Sequence, residues 1–515
     1  MVDNDEALEE ITSLFEKIFE TKEVPDGFRE STFTALHKKG SFKLCKNFRG
    51  ISVGSVMLKL LMQVLLARVR DWYNVQLLPN QAGFKESSGC SDAVYNLKIL
   101  HFWATTQVQP LYCLMVDFRA AYDHCPRSSI FQSIYNRIDK ENHGLLTPFK
   151  IMENLYRETR STLDDSTFEC SSGLRQGGNE SPLLFNLYAD YLFRLFQKEA
   201  DDANLTFQIS YTTKSATDCT RPKIIRNSGK LTLTWIAYAD DLAIFALTRE
   251  KLIALANILQ RLGLKFDLKV AVDKTKSLVL NSKSEEKDFV KLGEDLIENV
   301  ADFVYLGTKV TQETPGTADE EVGRRIAMAS AKFDSLKDMF QNQRIYLATR
   351  VSLYCSLIRS RLLYGSAVWT LNEAQGDKIQ SAQNRFLRRI IRGGQARVSS
   401  KKEIDEARKE KAKGKSKKWE KICWDYRIST DKLHKIADIP KTTTFVHLQN
   451  KKWVAHILRQ DDDSLSKKLT FVSDKNRKRG QPFSTVYSKV LKRFEESEKG
   501  NNELKLIVEC LDREV

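Results

Sequence analysis

The sequence contains no pair of cysteines in the Cys-x-x-Cys spacing and no cluster of histidines. Nine cysteines and seven histidines are scattered over its 515 residues. Zinc ribbons and zinc knuckles depend on closely spaced cysteines and histidines, so this pattern argues against both. The odd cysteine count, with no spacing typical of a disulfide framework, indicates a reducing compartment.

The sequence also has no long apolar run and no internal repeat. No stretch approaches the roughly 20 apolar residues of a membrane span, and no apolar core typical of a signal peptide stands near residue 1. No repeat occurs at solenoid periods. We therefore expect a chain without a membrane partner that acts in the nucleus, the cytoplasm or both.

Acidic residues are in deficit, with 67 Asp and Glu against 82 Lys and Arg, which gives a net charge of +15. Residues 385–418 alone hold 14 basic and 4 acidic residues, so this stretch accounts for +10 of that charge. Such an excess favours a nucleic-acid partner bound through its phosphates in a salt-dependent way. The alternative is a charged run, helical or a linker, that only keeps the chain soluble.

Two adjacent carboxylates, Asp240 and Asp241, stand between apolar, strand-forming residues in the stretch Leu231 to Leu247. This pattern predicts a strand, a tight turn and a second strand, with the acids at the tip. Neighbouring carboxylates raise one another's pKa unless a cation lies between them, so the tip is a candidate Mg²⁺ site. The alternative is an ordinary Asp-Asp turn.

A third carboxylate, Asp117, directly follows the apolar run Leu111–Val116, which is typical of a strand buried on both faces. Pro126 suits the first turn of a following helix. An acid at the end of a buried strand can meet a hairpin tip on a neighbouring strand. Asp117 could instead cap a helix, and Asp123 is better explained as a turn residue than as a metal ligand.

These segments together resemble the motifs of reverse transcriptases. Residues 117–123 are similar to motif A, residues 173–186 to motif B, and Tyr238-Ala239-Asp240-Asp241 to motif C. Other segments follow the family's order: residues 38–40, 47–52 and 80–85 resemble the fingers, 274–276 motif D, and 303–307 motif E, the primer grip. Residues 325–369, 453–459 and 479–482 resemble the thumb and C-terminal region of non-LTR, LINE-type and RTE-like retrotransposon enzymes.

The resemblance implies roles for individual residues. Asp117, Asp240 and Asp241 would bind Mg²⁺ or Mn²⁺ and are the implied catalytic residues, together with Lys274 as a general acid. Tyr122 would select deoxynucleotides by its bulk, although it could also be a simple packing residue. The remaining implied contacts are the triphosphate ligands Lys38, Lys39 and Arg49, the templating-pair contacts Gln176 and Gly177, and the primer-grip residues Tyr305, Leu306 and Gly307.

The sequence departs from the family at Gly178, Asn179 and Glu180, where the usual pattern has Asp-Pro followed by a small or apolar residue. This departure puts the rigidity of the motif B loop in question, but it removes no implied metal ligand. Relatives of this lineage also carry an upstream endonuclease, and from the start of the fingers near residue 25 we expect a truncated copy without one.

We predict an α+β fold of the right-hand polymerase type with a helical, basic C-terminal region. The predicted divisions are an N-terminal helical segment (1–24), fingers (25–105), palm (106–312), a helical thumb (318–395) and the C-terminal region (396–515), with the reverse transcriptase domain at 25–312. The expected partners are an RNA template, a DNA primer or target DNA, and dNTPs. The rival hypotheses are a catalytically inactive, domesticated nucleic-acid-binding protein and a reverse transcriptase of the group II intron or telomerase type.

Overall fold

The computed structural model of the protein describes residues 5–38, 40–216, 224–282, 290–313, 315–317, 319–391, 429–472 and 485–498. The chain divides into two compact units. The first takes Met1–Thr213, Asn227–Leu306 and Asp461–Arg477, and the second takes Lys214–Arg226, Gly307–Gln460 and Lys478–Val515.

Helices and short strands are interspersed as far as Thr311, and the elements described after that residue are helical. The strands are β1 Glu30–His37, β2 Phe48–Val53, β3 Leu111–Val116, β4 Thr159–Leu163, β5 Ser166–Cys170, β6 Phe207–Ala216, β7 Ile224–Leu233, β8 Trp235–Tyr238, β9 Asp241–Ala246, β10 Lys276–Leu280, β11 Val290–Leu292, β12 Asp295–Ile297, β13 Asp302–Tyr305 and β14 Thr308–Thr311. The helices are α1 Asp5–Thr21, α2 Val56–Gln76, α3 Cys90–Thr106, α4 Ala121–His124, α5 Arg127–Tyr135, α6 His143–Leu155, α7 Ser181–Asp202, α8 Arg249–Lys265, α9 Asp319–Ser335, α10 Lys337–Gln341, α11 Leu347–Tyr354, α12 Ser360–Leu362, α13 Glu373–Ile391, α14 Thr430–Ala437, α15 Thr442–Arg459, α16 Leu465–Thr470 and α17 Val486–Glu498. Short 3-10 turns occupy Asp26–Phe28, Cys45–Asn47 and Ser366–Val368, and a π-helical turn occupies Cys355–Arg359.

A four-stranded antiparallel sheet in the order β10-β3-β9-β8 forms the centre of the first unit. Its middle strands β3 and β9 are apolar and almost wholly buried, as the continuous apolar run predicted. Helices α2, α7 and α8 supply further apolar side chains to the same core. This packing fixes the ends of β3 and β9, from which the predicted carboxylates project.

A second four-stranded sheet has the order β2-β1-β4-β5. Strand β1 pairs antiparallel with β2 and parallel with β4, and β4 pairs antiparallel with β5. Helix α2 follows this sheet's second strand, and the Ser55 side chain accepts a hydrogen bond from the Leu58 N–H at 3.1 Å as its N-terminal cap. The helix continues to Gln76, and its buried side chains include Leu61 and Leu65.

Residues 200–230 are largely polar and charged, a composition that favours a surface loop, but β6 and β7 pair in this region as a two-stranded sheet. Residues 217–223 lie outside the described chain. A segment from far along the chain contacts this sheet: the Thr212 N–H donates to the Phe471 carbonyl at 2.9 Å. Helix α16 packs on α3, where the Thr470 hydroxyl lies 3.2 Å from the Tyr95 hydroxyl.

The second unit has its own helical core, built from apolar residues of α9 to α15. Many of the apolar side chains at helical spacing in the predicted thumb belong to it, including Phe333, Val351 and Leu362. Most of the basic stretch at residues 385–418, from residue 392 onward, lies outside the described residues. Among the described helices, none combines the length and apolar character needed to cross a membrane.

Candidate active site

The two adjacent carboxylates lie at the tip of a β-hairpin, as predicted. Tyr238 on β8 pairs with Asp241 on β9, which leaves Ala239 and Asp240 as a two-residue loop. Ala239 has a φ of +55° although it is not a glycine. A positive φ at the first loop residue alone is typical of a type II′ turn, whose twist matches the flanking strands. The turn therefore presents Asp240 and Asp241 at one edge of the sheet.

Asp117 is brought to the same edge by strand pairing. Val116, the last residue of β3, pairs with Leu242, the second residue of β9. The Asp117 backbone is fixed on its other side, because its N–H donates to the Thr275 hydroxyl at 3.3 Å and its carbonyl accepts from the Ala271 N–H at 2.7 Å. Residues distant in sequence thus place three carboxylates in one neighbourhood.

The electrostatics of this edge favour a bound cation. Burial, together with the charges of Asp240 and Asp117, raises the pKa of Asp241 to about 6. Burial also raises the pKa of Asp240, with Asp117 adding to the shift and Arg49 and Lys274 opposing it. Asp117 therefore disfavours ionisation of Asp240, and both disfavour ionisation of Asp241, until positive charge is supplied.

A side-chain cation already contacts one of the three acids. The Lys274 ammonium lies 3.0 Å from Asp117 Oδ1, and both side chains are solvent-exposed. Within the described residues, no three acidic, histidine or cysteine side chains converge as a metal-binding group. The donor set nevertheless fits Mg²⁺ or Mn²⁺, because carboxylate oxygens are the ligands these ions prefer and an ammonium ion is drawn to the same charge.

Tyr122 packs against α7, the helix that follows the motif B loop. Its ring stacks on Phe185 of α7, with ring centroids 4.7 Å apart and planes inclined by 17°. Burial raises the pKa of the Tyr122 phenol, and the charge of Asp240 raises it further. The ring is thus half-buried and close enough to Asp240 to feel its charge.

The motif B loop is fixed against β2. The Ser52 N–H donates to the Gln176 carbonyl at 2.7 Å, and a side chain at Gly177, whose φ is +108°, would come within 2.9 Å of the Ser52 carbonyl. The Gln176 side-chain amide donates to Asp123 Oδ1 at 2.8 Å. Asp123 therefore contacts the loop, and the predicted contact of Gln176 with a templating pair stays a prediction.

The unusual Glu180 has a defined place in this loop. It is buried, and its carboxylate accepts a hydrogen bond from the Tyr156 hydroxyl at 2.8 Å. The neighbouring Ser181 hydroxyl donates to the Arg175 carbonyl at 2.7 Å. Burial, together with the Glu180 charge, raises the pKa of Tyr156. The departure in motif B thus brings hydrogen bonds that hold the loop.

The other predicted residues lie in varied surroundings. Arg49 is exposed on β2 and lowers the pKa of Asp240, while Lys38 is exposed just after β1. Lys39 lies outside the described residues. Tyr305 is buried at the end of β13, and burial, with the charge of Asp241, raises its pKa.

The predicted primer-grip residues that follow Tyr305 both have positive φ angles. These are +45° at Leu306 and +74° at Gly307. Only glycine adopts such angles without steric cost, so Leu306 is held in this conformation by its surroundings.

Two residues at the site were missed by sequence reasoning. Thr275, fully buried, receives the Asp117 N–H, and Gln81, also buried, contacts the hairpin turn through Ala239. Both lie in segments that the sequence assigned to family motifs. Their long-range contacts could not be read from local pattern, since 158 residues separate the partners in each pair.

A mixed α and β chain with three carboxylates at the edge of an antiparallel sheet defines the class of right-hand nucleic-acid polymerases. A family model described as "Reverse transcriptase (RNA-dependent DNA polymerase)" matches residues 36–310, just over half of the chain. The chain belongs to this family, and the predicted α+β right-hand polymerase fold is confirmed.

Comparisons with individual proteins agree with a retrotransposon lineage. The chain is 25% identical over 232 residues to the Pol polyprotein of the type-2 retrotransposable element R2DM of Drosophila melanogaster, which covers 44% of this chain and 19% of that protein. It is 27% identical over 169 residues to a putative transposon-derived protein of Caenorhabditis elegans, covering 31% and 57%. The chain thus spans less than two thirds of both relatives. The predicted relationship to non-LTR reverse transcriptases is confirmed.

Solved structures of telomerase also show similarity. An apo telomerase from Candida tropicalis, truncated from its C-terminal domain, is 12% identical with a TM-score of 0.38, covering 58% of this chain and 57% of that one. A Candida tropicalis telomerase in complex with a fragment of telomeric RNA is 11% identical with a TM-score of 0.36, covering 90% and 68%.

Proposed function

We propose that this chain is an RNA-directed DNA polymerase of a non-LTR retrotransposon, which extends a primer 3′-hydroxyl with dNTPs on an RNA template. The observation that carries the proposal is the meeting of Asp117, Asp240 and Asp241 at one sheet edge, inside the region that matches the family. The raised pKa values of Asp240 and Asp241 are typical of a functional site rather than of an ordinary turn.

In this function Asp117, Asp240 and Asp241 would hold Mg²⁺ or Mn²⁺. When bound, such ions stabilise the attacking and leaving oxygens of phosphoryl transfer. Lys274 Nζ lies beside Asp117, which supports a role in which it would neutralise charge near that carboxylate and give a proton to the departing pyrophosphate.

The nucleotide would be positioned by residues around the carboxylates. Arg49, whose charge acts on Asp240, would bind the triphosphate, as would Lys38 and Lys39. Gln176 and Gly177 lie on the loop fixed to β2 and would face the templating pair. Tyr305, Leu306 and Gly307 would hold the primer end.

Tyr122 would select deoxynucleotides. Its ring is held flat against Phe185, so it cannot swing aside without losing an aromatic contact. A ribose 2′-hydroxyl placed above a fixed ring would be rejected by steric overlap. Tyr122→Ala is expected to raise incorporation of ribonucleotides relative to deoxynucleotides by about tenfold or more, since tenfold needs only about 1.4 kcal/mol. Unchanged selectivity in single-nucleotide extension would contradict this role.

The decisive test is primer extension on an oligo(dT)-primed RNA template with Mg²⁺, comparing wild type with Asp240→Asn. We expect extension to fall by about 1000-fold or more, because a displaced metal ligand removes electrostatic stabilisation of the transition state. Asp123→Asn is the matched control: its amide oxygen can still accept from Gln176, and we expect activity within a few-fold of wild type.

Two outcomes would contradict the proposal. Equal activity in the wild type and Asp240→Asn would show that Asp240 is not a metal ligand. A folded wild type that extends no primer, yet binds primer-template in a salt-dependent way, would instead favour a non-catalytic nucleic-acid-binding protein.

A further inference from the structure

The segment Asn80–Phe84, which the sequence assigned to the fingers, lies along the strand that leads into the catalytic turn. The Ala82 N–H donates to the Ala237 carbonyl, and the Ala237 N–H donates to the Asn80 carbonyl, both at 2.9 Å. The Asn80 side chain donates to the Trp235 carbonyl at 2.7 Å. The segment therefore adds a short parallel bridge beside β8.

Gln81 extends this bridge to the turn itself. Its side chain is 1% exposed, and its Oε1 accepts hydrogen bonds from the Ala239 N–H at 2.8 Å and the Gly83 N–H at 2.9 Å. Its Nε2 donates to the Ala239 carbonyl at 3.3 Å. One neutral amide thus satisfies both backbone groups of the residue that immediately precedes Asp240.

The contacted residue is the strained one. Ala239 has a φ of +55°, which residues with a Cβ rarely adopt. Such a strained backbone conformation persists only where several surrounding contacts enforce it. The paired hydrogen bonds of Gln81 provide that constraint, because they require the Ala239 N–H and carbonyl to face the same side chain.

On its other side, the Asn80–Phe84 segment is anchored in the core. Asn186 of α7 is fully buried, and its Nδ2 donates to the Gly83 carbonyl at 2.6 Å and to the Tyr73 hydroxyl at 2.8 Å. The Tyr73 hydroxyl donates to the Phe84 carbonyl at 3.1 Å. A Cβ at Gly83 would lie 2.4 Å from the Ala239 nitrogen, so there is no free space between the Asn80–Phe84 segment and the Ala239–Asp240 turn.

We propose that Gln81 is a positioning residue that sets the Ala239–Asp240 turn, so that Asp240 and Asp241 are arranged for a divalent cation before the cation binds. The inference rests on the proposed function in taking these carboxylates as metal ligands. It assigns to the Asn80–Phe84 segment a role in metal affinity and in the chemical step, and no contact with primer or template.

The experiment compares Gln81→Ala with Asn154→Ala, a matched control. Asn154 is also a buried amide of the first unit, but it accepts from the Val24 N–H at 3.2 Å, in a different segment. Mn²⁺ binding is measured by electron paramagnetic resonance without nucleotide, and primer extension gives kcat and KM separately. Thermal unfolding reports on stability.

For Gln81→Ala we expect Mn²⁺ affinity and kcat each to fall by about 10- to 100-fold, as with other residues that orient metal ligands. Primer-template affinity should stay at the wild-type value. Asn154→Ala should lose thermal stability while its Mn²⁺ affinity is unchanged. Where Gln81→Ala does not fold, Gln81→Met keeps the side-chain volume and removes the same hydrogen bonds.

A second variant tests the strain directly. Glycine adopts a positive φ freely, so adding Ala239→Gly to the Gln81→Ala variant should recover part of the Mn²⁺ affinity that Gln81→Ala loses. Gln81 variants that lose stability but bind Mn²⁺ like wild type would overturn the inference. A wild type that binds Mn²⁺ but extends no primer would refute the polymerase alone, since the Mn²⁺ comparison among the variants would still decide the role of Gln81.

Discussion

Two backbone turns carry predicted functional residues in this protein, and they are stabilised by opposite kinds of chemistry. The Ala239–Asp240 turn of the first unit is held by the neutral amide of Gln81. The Gly307 backbone, in the second unit, is held by charged groups. Both residues have positive φ angles, +55° at Ala239 and +74° at Gly307, so each depends on its surroundings or on its lack of a Cβ.

The charged cluster is centred on Glu321 of α9, which is 1% exposed. Its carboxylate pairs with the Arg325 Nε at 2.6 Å and the Arg324 Nε at 2.8 Å. Both guanidinium groups also donate to the Gly307 carbonyl. The Arg325 guanidinium lies over the Tyr364 ring, 4.5 Å from its centroid.

The difference follows from what each turn must leave free. Beside Asp240 and Asp241, a fixed cation would compete with a metal ion, and a fixed anion would raise the pKa of the carboxylates further. An amide holds the backbone without adding net charge. Around Gly307 the Glu321 carboxylate offsets one of the two arginine charges, so strong charge-assisted hydrogen bonds are available there.

The largest effect is expected from breaking the charged cluster. Glu321→Ala should lower the free energy of unfolding by about 3–5 kcal/mol, because it leaves the buried Arg325 without its partner. Denaturant unfolding measures this loss. Asp334 lies on α9, like Glu321, and forms an exposed ion pair with Arg389 of α13. Asp334→Ala removes that pair and should cost only about 0–1 kcal/mol.

The same variants sharpen the contrast between the turns. Glu321→Ala protein that remains folded should bind Mn²⁺ with wild-type affinity, whereas Gln81→Ala should lose affinity with a smaller loss of stability. Equal losses of Mn²⁺ affinity in both would show that the two turns are not separate devices.

Much of the first turn could be predicted from sequence. The apolar run before Asp117 and the apolar flanks of Asp240 and Asp241 specify strands by local pattern, and strand ends place acids at sheet edges. The contact of Gln81 with the turn could not be predicted, because the hydrogen bonds between Gln81 and Ala239 join residues 158 positions apart. A glutamine in a motif has no local pattern that distinguishes a solvent-facing amide from one that satisfies a strained backbone.

The return of residues 461–472 to the first unit escaped prediction for the same reason. Their composition is polar and charged, typical of a surface segment, yet Lys467 is buried and its ammonium lies 2.9 Å from Asp462. Asp462 in turn accepts from the Asn227 side chain at 2.7 Å. Only the folded chain shows that this pair lies beside the β6–β7 sheet.

A smaller effect on stability is expected when the alanine of one turn and the glycine of the other are each replaced by the other residue. Gly307→Ala should destabilise the protein by about 1 kcal/mol or more, because alanine is strained at a φ of +74° and its Cβ would lie 3.2 Å from the Tyr364 ring. Ala239→Gly relieves strain but loosens the unfolded chain, so it should change stability by less than about 1 kcal/mol. Thermal unfolding of both variants checks the contrast, and equal destabilisation would contradict it.

The smallest expected effect is a pH dependence confined to the first turn. Burial and the neighbouring acids raise the pKa of Asp241 to about 6, so the folded, metal-free protein binds this proton more tightly than the unfolded chain does. This contribution to stability is present at low pH and is lost as the pH rises through about 6. Metal binding needs the ionised form, so activity at limiting Mg²⁺ should rise over the same interval.

Asp241→Asn removes this titration. In EDTA, its midpoint of thermal unfolding should exceed that of the wild type by roughly 1–3 °C at pH 7.5 and by less at pH 5. Asp123→Asn serves as the control and should show no such difference between the two pH values. The Glu321→Ala loss should be the same at both, because guanidinium groups stay charged throughout. A wild type more stable than Asp241→Asn at pH 7.5 would mean that the ionised Asp241 is stabilised by a cation of the protein itself, as Glu321 is by the arginines around Gly307.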